Sequence, residues 1–207
     1  LLGADLIILP GTKNVIADCQ QLQNLSWQEE INRHLRYGGK LLGICGGFQM
    51  LGQQITDPNH VEGNTSIIEA LKLLDFTTEL TTEKQLKQVT GQFKLGQQTG
   101  NINGYEIHCG ISQGPALQQA FTTITDQNQN NYQDGVVSSD QQIIGSYLHG
   151  LFEHSDTLTA ILHWVSGEEI VQQDWAEIRE QELDRFADCL EQHLDIAAIE
   201  AIIKEST

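Results

Sequence analysis

The sequence predicts an α/β fold of three layers, with a mostly parallel central sheet flanked by helices and a helical C-terminal tail. Three observations lead there. Asp5-Leu-Ile-Ile-Leu9 and Leu41-Leu-Gly-Ile44 are short apolar runs without polar alternation, as in strands buried on both faces. The residues between them carry helical spacing, which makes a βαβ unit. Each run ends in a glycine-bearing turn, and parallel sheets form their sites at the carboxyl ends of strands.

In chain order, Pro10-Gly11 stops the first strand. Val15, Ile16, Cys19 and Leu22 share one helical face, and Ile31 and Leu35 mark a second helix after Ser26, read as its N-cap. Gly38-Gly39 stops that helix before the second strand. Asp57 to His60 reads as a turn, Leu71 to Phe76 as a strand or short helix, and Thr77 to Phe93 as surface antiparallel strands. Ile102 to His108 alternates as a strand, which puts Glu106 and His108 on one face. The Gln- and Asn-rich stretch from Asp126 to Asp134 reads as a mobile loop. Val136-Val137 is a short strand, and Ile143 to Leu148 a longer one that ends at His149-Gly150, before a helix near Ser155. Past Gly167 the chain is acidic and helical. Trp175, Ile178, Leu183, Phe186, Leu190 and Leu194 form one apolar stripe, and Ile196, Ile199, Ile202 and Ile203 a shorter one. The organisation expected is one domain over residues 1–165, with helices of 166–207 packed on it.

The chain has 207 residues and a formal charge of −17, from 11 basic and 28 acidic side chains. That balance disfavours nucleic acid and anionic membrane as partners. Lys72, Lys84, Lys87 and Lys94 fall in one segment, read as a solvated face or a surface for an acidic partner. No run approaches the ~18 apolar residues of a membrane span, and no signal peptide opens the chain. The four cysteines include no Cys-x-x-Cys pair, which argues against a zinc site or a disulfide framework and for a reducing cytoplasm. No metal site is expected. The chain opens without Met, inside what reads as a continuing sequence, so a longer protein is expected.

Chemistry concentrates at Gly43-Ile-Cys45-Gly-Gly47. This is a Gly-x-nucleophile-x-Gly elbow with sulfur in place of oxygen, where strand gives way to helix. Free N–H groups at the helix start would favour a thiolate, and the Gly46 N–H is a natural oxyanion donor. A buried structural cysteine is the competing reading. Gly11 ends a neighbouring strand and offers a second oxyanion N–H, or is only a turn. His149, at a third strand terminus, stands where a partner for Cys45 should.

Taken together these motifs resemble the class I glutamine amidotransferases, whose nucleophile motif Cys-x-Gly-x-Gln is matched by Cys45-Gly-Gly-Phe-Gln49. Leu-Pro10-Gly11-Thr-Lys13-Asn14, Gly43 to Gly52, Asp57-Pro-Asn-His-Val-Glu62-Gly63, Gly104-Tyr-Glu106-Ile-His108 and Tyr147-Leu-His149-Gly-Leu-Phe152 resemble, in order, motifs of the cobyric acid synthase family. The resemblance spans about Asp5 to Trp164. It implies a glutaminase domain that follows an ATP-dependent synthetase domain in one polypeptide, and the glutaminase domain's own first strand can lie upstream too. ATP, magnesium and the corrinoid would belong to the synthetase domain, with no cofactor in this one. The implied activity is glutamine hydrolysis supplying ammonia for amidation of adenosylcobyrinic acid a,c-diamide in cobalamin biosynthesis. The related cobyrinic acid a,c-diamide synthases share the elbow, and a non-catalytic glutamine- or partner-binding module is the competing class. By family position Cys45 and His149 are the catalytic pair, and Gln49, Tyr105, Glu106 and His108 line the glutamine pocket. Leu151 stands where most triad amidotransferases place a Glu, so a Cys-His dyad is implied, with Glu106 and Glu153 as candidate substitutes.

Overall fold

The computed structural model describes residues 3–171 and 175–205. They form two compact units that divide after Val171. The first strand, β1 (Leu6–Leu9), is followed by α1 (Val15–Asn24) and α2 (Trp27–Arg36), then by β2 (Lys40–Ile44) and the short α3 (Gly46–Met50). Asn14 caps α1 by accepting from the Ala17 N–H. Ser26 precedes α2 in a left-handed conformation and its side chain makes no cap bond, so it does not cap that helix as expected. Ile31 and His34 are the buried residues of α2, and His34 Nε2 bonds the Lys40 carbonyl at 2.9 Å.

β1 and β2 pair in parallel, and β10 (Ile143–Ser146) pairs in parallel with the other edge of β2. β9 (Val136–Val137) closes this four-stranded sheet antiparallel to β10. Successive residues of β2 feed two cores. Leu41 packs with Val15, Ile16, Ile31 and Phe48 of the helical side, and Leu42 with Val89, Phe93, Ile102 and Ile161 of the opposite side. That alternation makes the parallel sheet the central layer of an α/β fold.

The opposite layer is a second, seven-stranded sheet, larger than the sequence suggested. It contains β3 (Gln54–Thr56), β4 (Ile67–Glu69), β5 (Thr77–Leu95), β6 (Gln98–Gln113), β7 (Thr122–Thr125), β8 (Asn131–Asp134) and β11 (Leu148–His149). β5 and β6 form one long hairpin with a register shift between Leu80 and Gln85. Polar alternation concealed its length, because β5 buries only scattered positions. Leu71 to Phe76 is neither strand nor helix; its N–H groups bond back to carbonyls around the end of α3, from Met50, Leu51 and Gly52. The Gln/Asn-rich stretch is ordered in part, since β8 pairs with β7 and Asp126 accepts from the Asn128 and Asn130 N–H groups. α4 (Ser155–Ser166) completes the first unit.

The second unit holds α5 (Trp175–His193) and α6 (Ile196–Glu205). The Ile178, Leu183, Phe186 and Leu190 side chains of α5 are between 37% and 61% exposed, and that of Trp175 lies outside the described ones. No helix among the described residues is long and apolar enough to cross a membrane.

Candidate active site

β1, β2 and β10 are adjacent and parallel, so their carboxyl ends share one rim. Gly11 follows the first, Cys45 the second, and the turn leading to His149 the third. The three meet. The position that a Cβ on Gly11 would occupy is 3.5 Å from Cys45 Cβ, 3.1 Å from His149 Cε1 and 3.9 Å from its Nε2. A cavity of about 570 Å³ opens there, lined by Gly11, Cys45, Gly46, Gln49, His108 and His149 among others.

Cys45 carries the strain of the elbow, with φ 52° and ψ −110° in a residue that is not glycine. Its N–H donates to the Ser146 carbonyl, and that of Gly47 to the Pro10 carbonyl, which fastens the turn to both neighbouring strands. The thiol points to the Ile107 carbonyl at 3.4 Å. Burial pushes the thiol above its ordinary value of 9.0, more than the Gly46 N–H draws it down. The helix start therefore does not win here, contrary to the sequence expectation: α3 has five residues and the thiol is buried. Burial likewise holds His149 below its ordinary 6.5. Thiol and neutral imidazole are the resting pair. Alkylation of Cys45 by iodoacetamide should thus rise with pH through one midpoint above 9. A plateau of reactivity between pH 5 and 8 would show a preformed thiolate–imidazolium pair instead.

His149 Nε2 is buried without a hydrogen-bond partner, so it is open to a proton from the thiol or substrate. His149 leaves the parallel sheet because β10 ends at Ser146, and β11 then pairs with β6 in the second sheet. A buried carboxylate fixes this swing. Asp134 accepts from the Ser146 hydroxyl at 2.5 Å and the Tyr147 N–H at 3.2 Å, and burial raises it to about 6.

The remaining sequence candidates separate. His108 lines the cavity, stacks on Tyr147 at 3.8 Å and bonds the Gly110 carbonyl through Nδ1; burial drops it to about 4, so it is neutral. Gln49 is buried and its Nε2 donates to the Tyr147 hydroxyl at 3.4 Å. Glu106 does not line the cavity. Its carboxylate accepts from the Tyr132 hydroxyl on β8 at 2.8 Å, because the partly concealed β7–β8 hairpin brings that phenol over it. Tyr105 stands outside the cavity lining too, stacked on the His149 ring. Leu151 is buried in the core, and Glu153 is exposed in the turn before α4.

Sequence reasoning gave no role to Glu62 or Lys13 and read Lys84 only as part of a lysine-bearing surface, yet all three line the same cavity. Glu62 Oε2 accepts from the Ile16 N–H at the start of α1, and buried Asp57 holds its loop by accepting from the Val61 and Glu62 N–H groups. The signal was present in the Asp57-to-Gly63 motif, but not the fold that brings it over α1. The lysines do not form one face: Lys84 lines the cavity at the β5 irregularity, Lys72 pairs with Glu69 at 2.8 Å, and Lys87 lies over the Tyr132 ring. Among the described residues no group of three or more His, Cys, Asp or Glu side chains is placed to hold a metal ion.

The chain is similar to known proteins along most of its length. It is 44% identical to cobyric acid synthase of Shewanella oneidensis, covering 99% of this chain and 42% of that one. It is 44% identical to cobyric acid synthase of Vibrio campbellii, covering 93% and 39%. The chain thus spans about two fifths of these relatives' length. Its fold is similar to a crystal structure of a glutamine amidotransferase (TM-score 0.55, 15% identity, 81% of this chain and 82% of that one). It is also similar to PurLQS of Thermotoga maritima (TM-score 0.54, 17% identity, 80% and 82%). Residues 2–157 match the CobB/CobQ-like glutamine amidotransferase domain, and the chain belongs to that family.

Proposed function

We propose that this chain is the glutaminase part of a cobyric acid synthase. In this reading it hydrolyses glutamine through a thioester on Cys45, and the ammonia serves ATP-dependent amidation of adenosylcobyrinic acid a,c-diamide in cobalamin biosynthesis. One observation carries the glutaminase step: an elbow cysteine and an imidazole with an unpartnered buried Nε2 flank one point at the rim of a parallel sheet. The 44% identity to cobyric acid synthases supports the choice of pathway.

In this reading Cys45 and His149 act in turn. His149 Nε2 takes the thiol proton as Cys45 Sγ attacks the carboxamide carbon. The N–H groups of Gly46 and Gly11 hold the oxyanion, a contribution of roughly 3 kcal/mol per donor. His149 returns the proton to the departing ammonia, leaving the thioester, and then activates the water that cleaves it. Glutamine is also a zwitterion, and the cavity matches that: Glu62 suits the α-ammonium, Lys13 and Lys84 the α-carboxylate. ATP, magnesium and the corrinoid belong in this reading to the synthetase portion of the longer polypeptide, and no step here passes through them.

A glutamine-analogue affinity label tests the reading by intact mass. One adduct on Cys45, suppressed by excess glutamine, is expected. Glu62→Gln should slow labelling at limiting analogue about tenfold or more and be overcome at saturation, as for loss of a charged binding partner. A peptide-like label that reacts as fast as the glutamine analogue would sink the proposal and favour a hydrolase of other specificity.

A further inference from the structure

His149 poses a question that the dyad chemistry leaves open: what aims its ring. The position two residues on is buried Leu151, Glu106 is bonded to Tyr132, and Glu153 is exposed. One group does lie on the imidazole. Tyr105 is the cross-strand partner of His149 where β6 pairs β11, and their rings stack with centroids 5.1 Å apart and planes 5° apart. Cross-strand aromatic pairs hold each other's rotamers, and a parallel offset stack fixes the plane of a ring that has no second hydrogen bond to do so. The geometry points to Tyr105 as a positioning residue: its ring holds the His149 imidazole toward Cys45 in place of an orienting carboxylate. This rests on the glutaminase reading above, and it moves Tyr105 from glutamine contact to the rear face of the base. A phenol face also favours a cation over it, so the stack stabilises the imidazolium formed during attack.

The test compares Tyr105→Phe with Tyr105→Leu in the full-length protein. Tyr105 is 44% exposed, so both variants should fold, and their denaturation midpoints check this. Phe keeps the stack and should stay within about twofold of the parent in kcat and KM. Leu keeps apolar cover but removes the π face; kcat should fall about tenfold or more while KM changes less than about twofold, the pattern of a misaimed catalytic group. A rise in KM with kcat unchanged would make Tyr105 a glutamine contact and overturn the proposal, as would parental kinetics in the Leu variant. The glutaminase reading itself is judged separately by Cys45→Ala and His149→Ala. Should the parent turn over no glutamine, ring resonances of labelled histidine still decide. Cys45, Glu62, Lys13, Lys84, His108 and Cys109 around the imidazole are the same in both variants. The His149 midpoint should therefore fall by about half a unit in the Leu variant and hold in the Phe variant. An unmoved midpoint in both would overturn the role.

Discussion

His149→Ala and Cys45→Ala are each expected to lower glutamine hydrolysis by at least about a thousandfold in the full-length enzyme, while Glu106→Gln and Glu153→Gln keep most of it. With the thiol raised and the imidazole lowered by the same burial, both groups are biased toward their neutral forms before substrate arrives. The thiolate forms only as attack proceeds, and His149, in the same cavity as Cys45, offers an unpartnered nitrogen to receive its proton. Losing either member removes the step itself, so the double variant should be hardly worse than each single one. Glu106 is different. Its oxygen accepts from Tyr132, a bond that a Gln carbonyl reproduces, and the pair stands outside the cavity lining. Glu153 is exposed in a turn. The comparison is kcat for glutamine across the four single variants. A Gln substitution as damaging as His149→Ala would show that its carboxylate orients the imidazole after all.

The same burial explains what was legible in the sequence. Leu41 to Ile44 announces itself because a strand covered on both faces has no exposed positions to make polar. Leu6 to Leu9 carries the same apolar run, but β1 is an end strand of its sheet and Ile8 is 42% exposed, so the expected burial on both faces does not hold there. Gly11, Cys45 and His149 were then placed on one rim by topology alone, since parallel neighbours end on the same side. The second sheet was harder to see. β5 and β6 carry polar residues at most positions, and what binds them is main-chain pairing over a long register, which leaves little trace in hydropathy. Tyr132 on β8 was hidden among Gln and Asn for the same reason, and with it the true partner of Glu106. Glu62 failed differently. Its motif was visible, but its role depends on Asp57 folding the loop back over α1, a contact between residues 46 apart that no local pattern encodes. The thiol's direction of shift was also out of reach. It depends on how deeply the elbow is buried, and a sequence does not state solvent exposure.

Two glycines of the site should respond to alanine in opposite ways, one in stability and the other in turnover. A Cβ on Gly47 would stand 1.9 Å from the Leu9 carbonyl oxygen and 2.5 Å from its carbon. Both are backbone atoms at the end of β1, and the Gly47 N–H is itself bonded to the next carbonyl, Pro10. Neither side can yield without pulling β1 from β2 or α3 from the sheet. Gly47→Ala should therefore cost more than about 3 kcal/mol, above the usual cost of overpacking, and appear as a large drop in denaturation midpoint or as insoluble protein. Gly11 lines the cavity instead. Its φ lies outside the left-handed range, and the nearest atoms to an added Cβ belong to the side chains of His149 and Cys45, at 3.1 and 3.5 Å. A methyl there fills the gap that an attacked carboxamide must enter, without touching the backbone. Gly11→Ala should keep the parental midpoint within about 0.5 kcal/mol and lose at least about a hundredfold in kcat/KM. If Gly11→Ala keeps full turnover, the substrate does not pass between Cys45 and His149, and the pair is not the one that performs the chemistry.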